Sequence, residues 1–156
     1  SVTGVCVMAL EEGLDTGGVY ARAEVPIGAE STAAELRGEL VDVGTSLLVD
    51  TLDRPLDTWI GDPTPQEGEV TYASKFTSAD FEIDWSLDPA DVHRLIRVGG
   101  AWTTFRGKRL KINEARLVDG RVVPVTVQPE GKGAMAFEAW RNGARPARHE
   151  LFGDIR

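Results

Sequence analysis

The apolar positions of the chain begin in a period of two. In "SVTGVCVMAL", Val5 and Val7 alternate with Cys6 and Met8, and β-branched residues dominate, which predicts a strand. After a glycine-bearing loop, "VYARAEVPI" alternates again. Val19, Ala21, Ala23 and Val25 share one face and Tyr20, Arg22 and Glu24 the other, the pattern of a half-buried strand. The period then becomes helical. Thr32 and Glu35 form a T-x-x-E capping box, and Leu36, Leu40, Val43 and Leu47 make one stripe on a helix running to about Leu52. Strand, loop, strand, helix is a piece of an open α/β layer.

Residues 54–76 break the pattern. Pro55, Pro63 and Pro65 stand among acids, which predicts a linker or an extended crossing segment. Thr77 or Ser78 then caps a short turn. Asp88 caps a helix with Pro89 at its first position, and Val92, Leu95 and Ile96 form its buried face. His93 on that helix is expected at the surface or boundary. From Ala101 the texture is that of short β segments. "RGKR" and Asp119-Gly120 are turn signals, the second a strong hairpin signal, and three strands are read between Ala101 and Val127. "QPEGKGAM" reads as a loop, and "AFEAWRNGARP" as a closing helix ended by Gly143 and Pro146. The expected layout is residues 1–53, a linker at 54–76, and a small β domain at 77–156.

Composition narrows the classes. The chain has 156 residues, 42% of them hydrophobic, enough for a core. Its longest apolar run is far short of a membrane span. Ser1 opens into an apolar run without a basic leader, so no signal peptide is expected. The single Cys6 forms no internal disulfide, and Cys/His metal spacing is absent; a cytoplasmic setting and no metal are expected, with Cys6 as core filler.

Charge changes the picture more. The net value of −8 argues against general nucleic-acid binding. Yet residues 1–70 hold 14 acids and 3 bases, whereas residues 94–156 hold 6 acids and 13 bases. Such asymmetry predicts two modules with different partners, the basic one suited to a polyanion.

The candidate chemistry lies in "EEGLDTGGVY". Asp15 there is either the residue of an Asx turn or half of an active site. Its context extends along the chain: "TGVCVMALEEGLDTG", "STAAELRGELVDVGTSLLVDTL", "PQEGEVTYASK", "IDWSLDPADVHRLIR", "GAWTTFRGKRLKI" and "VQPEGKGAM". In this order they resemble the carboxyl-terminal half of the methionyl-tRNA formyltransferase family. The first motif is shared with other formyltetrahydrofolate-dependent transferases.

The resemblance implies the tail of an open α/β formyltransferase domain followed by a small OB-like β domain. It implies 10-formyltetrahydrofolate as formyl donor and initiator methionyl-tRNA as acceptor. Gly13, Leu14 and Asp15 would approach the folate, with Asp15 catalytic: it would orient a His and help relay the proton lost by the attacking amine. An Asn and that His, the oxyanion donor and base of the family, lie upstream of the matching motif, as does an "SLLP" pterin signature absent from this chain. The chain alone is therefore expected to be inactive, with an amino-terminal half as partner. The β domain is expected to be a reduced or open barrel, since an OB-fold needs five strands.

Basic residues concentrate in that domain. Arg94, Arg97, Arg106, Lys108, Arg109, Lys111 and Arg116 share their span with a single acid, Glu114. The resemblance makes Arg106, Lys108, Arg109, Lys111 and the loop residue Lys132 candidates for tRNA phosphate. The alternative is a solvated hairpin that keeps a sheet edge soluble. Trp102, Phe105 and Trp140 are expected in the core rather than on bases. Two other functions stay open: a non-catalytic tRNA-binding or interaction module, and part of another folate-dependent formyltransferase.

Overall fold

A computed structural model describes residues 1–61, 63–147 and 150. The chain divides into two compact units, residues 1–73 and 74–156.

The first unit holds β1 (Val2–Met8), β2 (Val19–Pro26) and α1 (Ala33–Leu52). β1 and β2 pair antiparallel, with Thr3 opposite Val25, Val5 opposite Ala23 and Val7 opposite Ala21. These six residues therefore share the sheet face that α1 covers. Gly44 sits where the helix crosses: a Cβ there would lie 3.6 Å from Val5, in ordinary van der Waals contact, so helix and strand already meet closely at this point. Leu36, Leu40, Val43 and Leu47 are half-buried on this side, as their spacing predicts. Thr32 accepts from the Glu35 backbone N–H at 3.2 Å while the Glu35 carboxylate accepts from the Thr32 backbone N–H at 2.9 Å, so the capping box is complete. A second stripe of α1 is bare. Val41, Leu48, Val49 and Leu52 are each at least 46% exposed.

Cys6 departs from expectation. It is exposed, on the face opposite α1, because the strand's alternation gives the covered face to Val5 and Val7.

The stretch expected as a linker is partly structured. A 3-10 turn spans Leu56–Thr58, Trp59 packs edge-on against Tyr20 at 5.1 Å, and Thr64 forms a bridge with Val19. Each of those two residues donates its N–H to the other's carbonyl, at 2.8 and 2.9 Å. Prolines flank Thr64 on both sides, at positions whose N–H would point away from β2 in such a pair.

The second unit runs through a 3-10 turn (Ala79–Phe81), α2 (Pro89–Val98), β3 (Trp102–Phe105), β4 (Lys108–Val118), β5 (Arg121–Pro129), β6 (Met135–Ala136) and α3 (Phe137–Ala144). Its sheet is an open antiparallel meander in the order β3-β4-β5-β6, so the reduced or open barrel expected here is a four-stranded sheet among the described residues. Both long hairpins turn on two residues with positive φ: Arg106 and Gly107 at 49° and 75°, Asp119 and Gly120 at 50° and 70°. This is the type I′ geometry that matches strand twist.

The core of this unit joins Val92 and Ile96 of α2 to Leu110, Ile112 and Val127 of the sheet and to Phe137 and Trp140 of α3. Burying each aliphatic side chain contributes roughly 1.5–3 kcal/mol. Trp140 stacks on Phe137 at 5.5 Å and meets Phe105 edge-on at 5.0 Å, so these aromatics pack inside. Trp102 is half-buried and donates its indole N–H to the Ser78 carbonyl.

Two expectations are corrected here. His93 is buried, at 4% exposure, and its Nε2 lies 3.2 Å from the Ala115 carbonyl oxygen. Ala115 stands opposite Pro124, beside an irregularity in the β4–β5 register. A carbonyl only accepts, so the contact requires the Nε2–H tautomer. The end of α3 also differs. Its left-handed cap is Arg145 at φ 46°, one residue before Pro146, and Gly143 lies inside the helix.

Candidate functional site

Two sites emerge, one in each unit. The first is the loop between β1 and β2. The Ala9 N–H donates to the Gly18 carbonyl at 2.9 Å and closes its base. Gly17 is required there: a Cβ would fall 1.9 Å from the Ala9 carbonyl oxygen. Above the base, Thr16 donates to the Glu11 carboxylate at 3.2 Å. Asp15 occupies the apex with φ 52°, a left-handed conformation that aspartate tolerates better than most residues. Gly13, Leu14 and Asp15 are all exposed, Leu14 to 89%. An exposed leucine beside an exposed carboxylate is a surface that could receive a flat, partly apolar ligand and a proton.

The loop is held from outside as well. Gln66 Nε2 donates to the Asp15 carbonyl at 2.7 Å and to the Gly17 carbonyl at 2.8 Å. The sequence reading missed Gln66. The local trace is "PTPQ", in which Gln66 follows two residues after the bridging Thr64. Cys6, Val19, Arg22, Thr64, Pro65, Gln66 and Glu67 line an open depression of about 470 Å³ on this side of the sheet.

The second site lies on the sheet of the second unit. β4 alternates Leu110 and Ile112 inward with Arg109 and Lys111 outward. One depression of about 310 Å³ is lined by Arg106, Lys108, Arg109 and Lys132, with Phe105 and Trp140 as its apolar wall. A neighbouring one of about 460 Å³ is lined by Arg109, Lys111 and Glu130. The structure thus brings all five predicted basic residues around two depressions that share Arg109. The Arg109 guanidinium lies 3.9 Å from the centre of the Trp102 ring, which holds it against the strand. Lys132 is placed by its loop: its N–H donates to the Pro129 carbonyl, and its carbonyl accepts from Gln128.

Acids enter this site that the sequence reading left out. Glu130 accepts from the Arg109 backbone N–H at 3.2 Å. Glu150 takes both Nε and Nη2 of Arg106, and this hydrogen bonding pushes the Arg106 guanidinium further above its ordinary pKa. Arg94, away from both depressions, pairs with Asp91 at 2.7 Å. The basic span therefore meets more carboxylate than Glu114 alone. Arg148, His149 and the rest of the carboxyl end lie outside the described residues.

Among the described residues no cluster of His, Cys, Asp and Glu could hold a metal ion, and no helix is long and apolar enough to cross a membrane.

Comparison with known proteins follows the same division. Residues 1–52 match the formyl transferase family, and residues 75–123 match the formyl transferase C-terminal domain family. The chain is 39% identical to a methionyl-tRNA formyltransferase of Jannaschia sp., a match covering 94% of this chain and 56% of that protein. It thus spans about half the length of that relative. Among solved structures, HypX from Aquifex aeolicus in complex with tetrahydrofolic acid matches with a TM-score of 0.67 at 18% identity, over 90% of this chain and 30% of that one. Methionyl-tRNA formyltransferase from Clostridium thermocellum matches with a TM-score of 0.59 at 21% identity, over 85% of this chain and 57% of that one. The mixed α/β architecture is thus that of the formyltransferase fold, and by sequence the chain matches methionyl-tRNA formyltransferases over most of its own length.

Proposed function

We propose that the chain is part of a methionyl-tRNA formyltransferase acting in the cytoplasm. Such an enzyme moves a formyl group from 10-formyltetrahydrofolate to the amino group of initiator methionyl-tRNA. The amine attacks the formyl carbon, a tetrahedral intermediate forms, and the amine must lose a proton as the folate nitrogen leaves. Asp15 would orient the base that accepts this proton and help relay it. Gly13 and Leu14 would lie against the folate. The base and the oxyanion donor are assigned to the remaining half of the protein, the partner that completes the site. Arg106, Lys108, Arg109, Lys111 and Lys132 would meet tRNA phosphates. No metal enters this scheme.

The observation that supports the reading best is the placement of Asp15. Its carboxylate stands exposed at the apex of a loop tied by Ala9, Gly18 and Gln66. A mere turn residue would need no such support from a side chain 51 positions away.

The test is a graft. Residues 1–156 replace the matching stretch of the Jannaschia sp. enzyme, and formylation of methionyl-tRNA is measured. The graft should be active and the chain alone inert. Asp15→Asn in the graft should lower the rate by roughly 10²–10⁴-fold, the usual span for loss of acid–base function. A fully active Asp15→Asn graft would return Asp15 to a turn residue.

The two basic depressions favour a second reading, a tRNA-binding module without chemistry. Under either reading the chain should bind tRNA with steep salt dependence. Replacing Arg106, Lys108 and Arg109 together by Ala should flatten the slope by about two to three ion equivalents. An unchanged slope would mark a solvated hairpin instead. Binding without activity in the graft would select the module.

A further inference from the structure

We propose that Gln66 is the positioning residue for the Asp15 loop; the inference rests on the reading of Asp15 as an acid of the reacting site. A primary amide carries two N–H groups on one nitrogen. Here both are used, on the carbonyls of Asp15 and Gly17. The two acceptors flank Thr16, so their convergence on one nitrogen fixes the curvature of the loop at its apex. The opposite orientation of the amide would aim an oxygen at two oxygens, so only the donating one satisfies the site.

The loop has reason to need this. Asp15 holds φ 52°, a conformation that aspartate tolerates but that still costs an L-residue energy, so a tie at this point favours it. The Ala9–Gly18 bond secures the base, three residues from Asp15, and above it the loop's own residues add one exposed side-chain bond, Thr16 to Glu11 at 3.2 Å.

Gln66 itself is placed from behind. Thr64 is locked to Val19 by two backbone hydrogen bonds, and Pro65 fixes φ for the next step. Gly18 lets this segment approach, since a Cβ there would stand 2.9 Å from the Pro63 ring. The segment after α1 thus sets the direction of an acid that precedes β2, and Gln66 acts on the chemistry only through the backbone of Asp15.

The experiment is 15N relaxation on the full chain, parent against Gln66→Ala and Gln66→Glu. In the parent, residues 14–17 should show order parameters near the rigid value of about 0.85. Gln66→Ala should drop them below about 0.6 while β1 and β2 stay rigid. Gln66→Glu supplies the distinguishing readout. At neutral pH its carboxylate faces two carbonyl oxygens and has no proton to give, so the loop should be mobile. Those oxygens also raise the introduced carboxyl's pKa, and once protonated it donates one hydrogen bond. Loop order should therefore return in part as pH falls, with no such change in the parent. Unchanged order in Gln66→Ala, or no pH response in Gln66→Glu, overturns the proposal. The Asp15→Asn graft does not involve Gln66, so failure of the site reading shows separately: the tie would persist while the graft variant stayed active.

Discussion

Arg106 and Glu150 meet side to side: Nε lies 2.8 Å from one carboxylate oxygen and Nη2 lies 2.7 Å from the other. The same guanidinium donates to the Ala144 carbonyl, and Glu150 also accepts from the Ala147 N–H. The end of α3 is thereby clasped to the β3–β4 turn, across the mouth of the basic depression. A phosphate approaching Arg106 must compete with a carboxylate already in bidentate geometry.

This predicts a gain on removing the acid. Glu150→Gln should raise tRNA affinity at low salt and steepen the salt slope by about one ion equivalent, because one more cation becomes free to neutralise a phosphate. Fluorescence titrations at several salt concentrations read both quantities. An unaltered slope would mean that Arg106 has no part in binding.

The bare stripe of α1 predicts association. Val41, Leu48 and Leu52 recur at i, i+7 and i+11, with Val49 beside them, and all are exposed. The chain in isolation should sediment as a concentration-dependent oligomer or bind an apolar dye. Leu48→Lys combined with Leu52→Lys should abolish this with little loss of helix, since lysine is a good helix former. A monomeric parent across the micromolar range contradicts the expectation.

His93 predicts a stability effect. Its Nε2–H serves the buried carbonyl of Ala115. His93→Leu keeps the bulk and removes the donor, and an orphaned buried acceptor costs about 1–3 kcal/mol. Urea unfolding followed by tryptophan fluorescence should show the midpoint fall in His93→Leu. It should be partly restored in His93→Gln, whose amide can donate.

Acid should loosen the start of α1. Hydrogen bonds from the Thr32 backbone N–H and then its hydroxyl hold the Glu35 carboxyl below the ordinary glutamate range. A depressed carboxylate contributes stability that is present above its unfolded value of about 4.3 and is lost as pH falls through the lower folded value. Amide exchange in the first turn of α1 should therefore accelerate only at acid pH. In Thr32→Ala, which itself costs about 1 kcal/mol, that acid step should shrink but persist, because the backbone N–H at position 32 still donates to Glu35.

Much of the fold was legible because its signals are local. Period-two apolar runs gave β1 and β2, Thr32 and Glu35 gave the start of α1, and Arg106-Gly107 and Asp119-Gly120 gave the two tight hairpins. Asp15 stood out through its glycine neighbours, and the basic cluster through counting. What escaped depends on the far end of the chain. Gln66 reaches back 51 positions to Asp15, and no periodicity records that. His93 looked like a boundary residue because its helix stripe was already filled by Val92 and Ile96. Only the packing of α2 on β4 reveals the Ala115 carbonyl that draws it inside. Cys6 was misjudged because an apolar run does not say which of its two faces is covered.

The meander of the second unit has a kinetic consequence. Among the described residues its four strands pair in chain order, one isolated bridge of Trp102 to Glu82 aside, and two of the three connections are two residues long. Loop closure is then inexpensive at each step, and the mean sequence separation of the pairings is low. Sheets whose partners lie far apart must wait for the whole polypeptide before their first ladder can form. This one can assemble in a single sweep, strand by strand, as the carboxyl-terminal residues become available.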